Sequence, residues 1–577
     1  MNIIKELSIG VIMFIILCGC ETKQNTPRIS PVGFENTIFK GELNTRITKN
    51  YNRLEESRYQ PESVFLTDEQ SGNWPGDTEG RTILGLILDA QSSHRDPRYL
   101  QKIIELIPAH LNEKGYMGKV YQNLMDEQQL SGNGWMLRGL CEYYAWKKDG
   151  RVLSVIQSIV NNLFIPGKGY YASYPIAPEQ RIKGVGDKSG SIQNTINNWQ
   201  LSSDIGCVFI GMEGAIHAYQ YVPSQELKDV IEEMINRFLK MDPITIQAQT
   251  HAFLTGCRGL IRYSELTHDE SYVHEVVKRW DLYRNYGMTE NYANYNWFRR
   301  YDTWTEPCAI VDSYLLSTQL WMHTQDINYL HDAERIYYNA LCFAQRYNGG
   351  FGCDNCPGIH SKEDVLKVRA DEAYWCCTMR GGEGLSCVAK YAAFKGNNRI
   401  HYFTSYHAGI YKMDDLSIEV KTDYPFSDIV NFRVKGASDK KQKIRFVIPS
   451  GVNNTTIKIN GKAYPFEEEK GFICFEDRLK ENDEIEISFA REIQRVSTLN
   501  KENTNQKQIK ISYGPLLFGY SGEENIDLKT TDQVRYSGNK TIEINDGKYV
   551  LTPIYHLCDS NILSGSGYKH QILFEEL

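Results

Sequence analysis

"GLILDAQSSHRDPRYLQKIIELI", residues 85–107, holds two apolar-periodic stretches joined by a short polar turn at Asp96. The plan returns in "GLCEYYAWKKDGRVLSVIQSIV" (139–160), "GLIRYSELTHDESYVHEVVKRW" (259–280) and "STQLWMHTQDINYLHDAERIYY" (317–338), and more loosely in "GAIHAYQYVPSQELKDVIEEMI" (214–235). Apolar residues spaced by three and four mark helices buried on one face. The turn aspartates Asp96, Asp149, Asp269 and Asp326 suit the position before a helix, where a carboxylate accepts from free N–H groups. Residues 41–405 have room for about six such pairs, which either close into a ring or stack as a solenoid. Long loops such as "NYGMTENYANYNWFRRYDTWTEPC" (285–308) favour the closed ring, an (α/α)6 barrel with a pocket built from loops and helix ends.

Working outward, the period changes from 3.6 to 2 at about residue 406. "LSIEVKTD" (416–423), "KIRFVIPS" (443–450), "TTIKINGKAYPF" (455–466) and "QIKISYGPLLFGY" (508–520) read as short alternating strands. Asn460-Gly461 supplies a tight hairpin turn. Residues 406–577 are therefore expected to form one or two β-sandwich modules. At the other end, "MNIIKELSIGVIMFIILCGC" (1–20) has a charged start and an apolar core too short to span a bilayer. Residues 1–19 read as a signal peptide, and "LCGC" resembles a bacterial lipobox, which implies cleavage before Cys20 and lipidation of its thiol. Residues 20–40 read as a polar tether. The expected location is the bacterial cell envelope, with the membrane engaged only through the lipid anchor.

A net charge of −8 argues against a nucleic-acid partner. The aromatic share of 12%, with 37 Tyr and 9 Trp, suits a protein that stacks rings on sugars, and equally a large buried core that uses Tyr. Of 14 cysteines, Cys18 leaves with the signal and Cys20 carries the anchor; the rest are too scattered for a dense disulfide framework. Cys141, Cys207, Cys257, Cys342 and Cys387 are expected to be buried on apolar helix faces.

Chemistry concentrates in two motifs. "TEPC" (305–308) places Glu306 and Cys308 around Pro307, a residue suited to the first turn of a helix. "DEAYWCCTMRGGEGL" (371–385) holds the adjacent thiols Cys376 and Cys377. Together they offer three thiolates and one carboxylate, a sensible tetrahedral zinc set. Glu290, in the aromatic loop before "TEPC", is a candidate general acid. "CDNC" (353–356) competes, because Cys353 and Cys356 with Cys376 and Cys377 approach a structural zinc spacing; otherwise these two form a disulfide or stay free. His251 is either a substrate contact or a hydrogen-bonded helix histidine. Tyr292, Trp304 and Trp375 are further substrate-contact candidates.

"TEPC", the later "WCC", an upstream loop glutamate and a β-rich tail resemble glycoside hydrolase family 127, the β-L-arabinofuranosidase group, over most of residues 80–520. The resemblance implies zinc held by Glu306, Cys308, Cys376 and Cys377, with Cys376 as nucleophile and Glu290 as acid/base of a retaining hydrolase. A thiolate then replaces the nucleophilic carboxylate of the usual pair. An oligosaccharide or polysaccharide is the expected substrate. Two departures leave the sugar open: "LSGNGWMLRGLCEYY" (130–144) lacks the family's histidines, and "TMRGGEGL" (378–385) follows the cysteine pair. Two other classes fit the architecture. A polysaccharide lyase could use Tyr295 and Arg299 around a structural zinc, and a glycan-binding lipoprotein would need the aromatic loop without an acid at Glu290.

Overall fold

The computed structural model describes residues 29–65, 74–182, 189–358, 365–503 and 507–577. The signal peptide and Cys20 lie outside the described residues. Six helices form a closed inner ring: α2 (Asp77–Ser93), α4 (Glu127–Lys147), α6 (Val208–Tyr219), α8 (Thr250–Thr267), α10 (Pro307–Thr324) and α13 (Cys377–Lys390), which returns to α2. An outer helix backs each member: α1 (Gly41–Leu54), α3 (Leu100–His110), α5 (Gly150–Ile159), α7 (Gln225–Lys240), α9 (Ser271–Tyr286) and α11 (Ile327–Ile336). Beyond α11 the chain runs through a π-helical turn, Tyr337–Leu341, into the single turn α12 (Cys342–Ala344). This is the (α/α)6 barrel that the repeat implies.

The inner helices read as apolar all round because both faces are covered, whereas α5, α7 and α11 bury one stripe. Glycine sets the close approach of α4 and α6, since a Cβ on Gly214 would sit 2.4 Å from the Gly134 carbonyl oxygen. Three of the four turn aspartates work as expected: Asp149, Asp269 and Asp326 accept from the N–H groups of Arg151, Ser271 and Asn328. Asp96 does not, because α3 begins later, after Tyr99.

Two β modules follow. A six-stranded and a seven-stranded sheet face each other, with Phe403 and Phe446 of one meeting Phe432 of the other. Asn460 and Gly461 take the left-handed backbone of the hairpin turn. A nine-stranded sheet covers most of the remainder and recruits Val365–Lys367. The expected boundaries shift at both ends. Residues 393–403 already form strands of the first module, because α13 stops at Lys390. Residues 30–39, read as the end of a tether, add two strands to the same module: Ser30–Pro31 pairs with Phe394–Lys395 and Thr37–Phe39 with Gly409–Tyr411. Val32, Phe34 and Phe39 are buried there, and apolar burial outweighs the polar composition around them.

Candidate active site

Helices α2, α8, α10 and α13 begin at one end of the barrel and, with the turn before α6, surround a cavity of about 550 Å3. Glu306 is the N-cap of α10, Pro307 its first residue, and Cys308 lies in the first turn. Cys376 occupies the N-cap position of α13 and Cys377 opens the helix. Two helix N-termini thus converge on four acidic side chains, and their free N–H groups and positive ends favour the anionic forms.

One donor atom from each of Glu306, Cys308, Cys376 and Cys377 lies within 4.8 Å of all the others. Cys308 Sγ is 3.8 Å from Cys377 Sγ, and Cys376 Sγ is 3.2 Å from Cys377 Sγ. Arg81 Nη1 donates to Cys308 Sγ at 3.2 Å, and Gln249 Nε2 donates to Glu306 at 3.3 Å. Burial pushes the Cys308 thiol up, but hydrogen bonds from Cys376 and Cys377 and the Arg81 guanidinium outweigh it and hold Cys308 well below the usual thiol range. That negative sulfur acts on its neighbours. A hydrogen bond to Cys308 raises Cys376, and burial followed by Cys308 raises Cys377 and Glu306. Three sulfurs and a carboxylate this close oppose one another's ionisation, and a divalent cation among them removes the opposition. Tetrahedral zinc with Zn–S of about 2.3 Å sets sulfurs about 3.8 Å apart, the spacing of Cys308 and Cys377. The donor set fits such an ion.

Cys308 and Cys377 are buried and Cys376 is half-buried; Cys376 and Cys377 both line the cavity. His251 lines the cavity and is the hydrogen-bonded helix histidine of the second sequence reading. Its Nδ1 pairs with Asp312 at 2.7 Å, and its Nε2 has no protein partner. Below it lies a buried charge network in which Asp312 takes Arg258 at 2.7 Å and Arg380 at 2.5 Å. Glu383 takes Arg138 at 2.6 Å and also pairs with Arg380. The unusual run after the cysteine pair thus supplies the floor, through Arg380 and Glu383. Trp135, from the histidine-free segment of α4, stacks on His251 at 5.8 Å and receives Arg81, Arg138 and Arg380 around its ring.

Trp304 forms one wall, with Arg369 stacked 5.1 Å above it. Trp375 stands 52% exposed at the mouth, edge-on to Tyr374. Tyr292, expected at the substrate, does not line the cavity; its ring packs under Lys510 and Arg335.

Glu290 corrects the sequence reading most sharply. It is 1% exposed and does not line the cavity. Its carboxylate accepts from Lys510 Nζ at 2.8 Å and from the N–H groups of Leu499 and Asn500 at 2.9–3.2 Å. Every oxygen is committed to the C-terminal sheet region, so this glutamate has no geometry for acid catalysis. Cys353 and Cys356 form no disulfide; Cys356 Sγ turns to the Asn294 carbonyl at 3.5 Å, away from the cluster, whereas Cys353 lines the cavity and hydrogen-bonds Cys377. Of the lyase candidates, Tyr295 is buried against Tyr301 and Arg299 pairs with Glu502 at 2.8 Å; neither lines the cavity. Sequence reasoning missed Asp77, Arg81, Asp204, Gln249 and Trp74, all in the cavity wall. Only Asp77 and Arg81 carried a signal, an i,i+4 acid–base pair in the first turn of a helix.

Comparison with known proteins follows the same lines. The family described as Beta-L-arabinofuranosidase, GH127 middle domain, matches residues 399–491, most of the first β module. No curated sequence matches the chain. Among solved structures, the GH127 beta-arabinofuranosidase BT3674 superposes with a TM-score of 0.70 at 14% identity, covering 96% of this chain and 98% of its own. A GH127 beta-L-arabinofuranosidase from Geobacillus stearothermophilus T6 gives 0.69 at 13%, covering 94% and 100%. A protein described as a glycoside hydrolase gives 0.67 at 12%, covering 96% and 98%. The resemblance to glycoside hydrolase family 127 therefore holds in sequence for the middle module and in fold for nearly the whole chain.

Proposed function

We propose that this chain is a retaining glycoside hydrolase whose nucleophile is the Cys376 thiolate, with zinc held by Glu306, Cys308, Cys376 and Cys377. One observation carries the reading: of three clustered thiols at a sugar-sized cavity, Cys376 belongs to the least buried residue and lines the cavity. A bound zinc keeps the sulfurs deprotonated at neutral pH. Arg81 orients Cys308 and is itself fixed by Asp77 at 2.6 and 3.0 Å, so the cluster is braced before substrate arrives. Trp304 and Trp375 offer faces for sugar C–H groups, and His251 Nε2 offers an acceptor for a hydroxyl. Given what the similar structures are described as cleaving, β-L-arabinofuranosides are the first substrates to try. Cys376 attacks the anomeric carbon as the leaving oxygen takes a proton, and water then releases the sugar.

The test is a peptide map of protein quenched with an aryl β-L-arabinofuranoside, alongside zinc per chain. We expect a glycosyl mass on the peptide holding Cys376, retained anomeric configuration by NMR, and one zinc that Glu306→Ala loses. An inverted product with no adduct overturns the nucleophile, and full zinc in Glu306→Ala overturns the ligand set. Export and lipidation at Cys20 complete the proposal. An intact mass showing an N-terminus other than a lipid-modified cysteine overturns that part.

A further inference from the structure

A glycosidase of this type needs a carboxyl group that gives a proton to the leaving oxygen and later takes one from water. Glu290 is sequestered, so the group must be sought in the cavity wall. Among the described residues three carboxylates line it: Glu306, Asp77 and Asp204. Glu306 belongs to the sulfur cluster, and Asp77 is held by Arg81 through both oxygens. Asp204 differs from both. Its Oδ1 accepts from the Gly190 N–H at 3.1 Å and the Ser203 hydroxyl at 3.3 Å, and neither bond uses Oδ2. No cation pairs with it among the described residues.

The turn that carries Asp204 is built from outside. Glu127, at the start of α4, accepts from the Ser202 N–H at 2.9 Å and the Gly206 N–H at 3.2 Å, clamping the backbone on both sides of Asp204. Arg181 and Tyr174 hold Glu127 in turn, at 2.9 and 2.5 Å. Three buried polar side chains, Glu127, Arg181 and Tyr174, thus fix the turn that carries one cavity carboxyl, the supporting shell a reacting group requires. Burial pushes the Asp204 carboxyl up to about 6, further raised by Glu127 on α4 and Asp77 on α2, while the Gly190 N–H and Ser203 lower it. Among the described residues Glu306 on α10 is a further titratable group facing it. A carboxyl group in this range is protonated often enough to give its proton and acidic enough to take it back.

We propose that Asp204 is the proton-transferring carboxyl group of this site. In the first step its O–H proton passes to the glycosidic oxygen while the bond from C1 to that oxygen breaks and a C1–S bond to Cys376 forms, releasing an alcohol. In the second step its carboxylate takes a proton from water as the water oxygen bonds to C1, and the C1–S electron pair returns to sulfur.

The inference rests on the glycosidase reading, and the test separates the two. Wild type, Asp204→Asn and Asp204→Ala are compared on aryl β-L-arabinofuranosides with 4-methylumbelliferyl and 2,4-dinitrophenyl leaving groups. Thermal melting and zinc per chain serve as controls. We expect Asp204→Asn to lose about 10²–10⁴-fold in kcat/KM on the poorer leaving group and far less on the dinitrophenyl one. Azide should restore turnover of the dinitrophenyl substrate by Asp204→Ala and yield a glycosyl azide. The fall of kcat/KM above about pH 6 in wild type should vanish in Asp204→Asn. Equal losses on both leaving groups, with no azide product and unchanged melting and zinc, overturn the proposal. Wild type that cleaves neither compound and gives no Cys376 adduct overturns the parent reading with it.

Discussion

Asp89, in the interior of α2, has one carboxyl oxygen on the Ser386 hydroxyl at 3.0 Å and the other without a partner. Asn50 Oδ1, another acceptor with no donor, lies with it against Gly382. A neutral carboxyl, which has an O–H to offer, suits this place better than a carboxylate. Burial accordingly pushes Asp89 from 3.8 up to about 8, against the pull of Ser386 and Arg95. The folded value lies above the unfolded one, so the stability it contributes is complete below about pH 4 and lost as pH rises toward 8. Asp89→Asn keeps the neutral shape at every pH. Its melting temperature relative to wild type should therefore climb between pH 5 and 8, by up to about 1.4 kcal/mol of relative stability per pH unit. A difference in melting temperature that stays flat across that range would show that Asp89 is ionised in the folded protein.

At the scale of elements, the site is a meeting of helix N-termini, and what the sequence disclosed depends on how each terminus is signalled. "TEPC" was legible because Pro307 marks a first turn, which fixed Glu306 and Cys308 on one helix end. The start of α13 was not legible. Cys376 makes no side-chain cap, and the turn is closed instead by the Ala373 carbonyl, which accepts from the N–H groups of Cys376, Cys377 and Thr378. Nothing local in "AYWCCTM" announces that arrangement. Asp204 was hidden for a different reason, since its turn is shaped by Glu127 from another inner helix, a contact that no periodicity encodes. The barrel itself was legible because five copies of one helical plan repeat in the chain. The strands at 30–39 were not, because short edge pieces lack the length that alternation needs.

For the whole molecule, the spacing that made Glu290 look catalytic serves assembly. Its carboxylate joins the loop ahead of α10 to the last β module, through Lys510 and the N–H groups of Leu499 and Asn500. Nearby ties run the same way: Asn339 donates to the Pro515 carbonyl and accepts from the Leu517 N–H, both at 2.8 Å. Arg46 of α1 reaches the His556 carbonyl. The C-terminal sheet thus braces the barrel by buried polar contacts, and the Glu290–Lys510 pair, with both side chains at most 1% exposed, is the most demanding of them. Removing one partner of such a pair leaves the other charge buried and unmatched, at about 3–5 kcal/mol. Glu290→Gln should therefore lower stability by that order in urea unfolding, while the ratio of rates on poor and good leaving groups stays at the wild-type value. Adding Lys510→Met to the same chain removes the stranded ammonium and should recover much of the loss, which separates a structural pair from a proton donor. Rates that fall selectively on poor leaving groups, with stability unchanged, would return Glu290 to the chemistry and take Asp204 out of it.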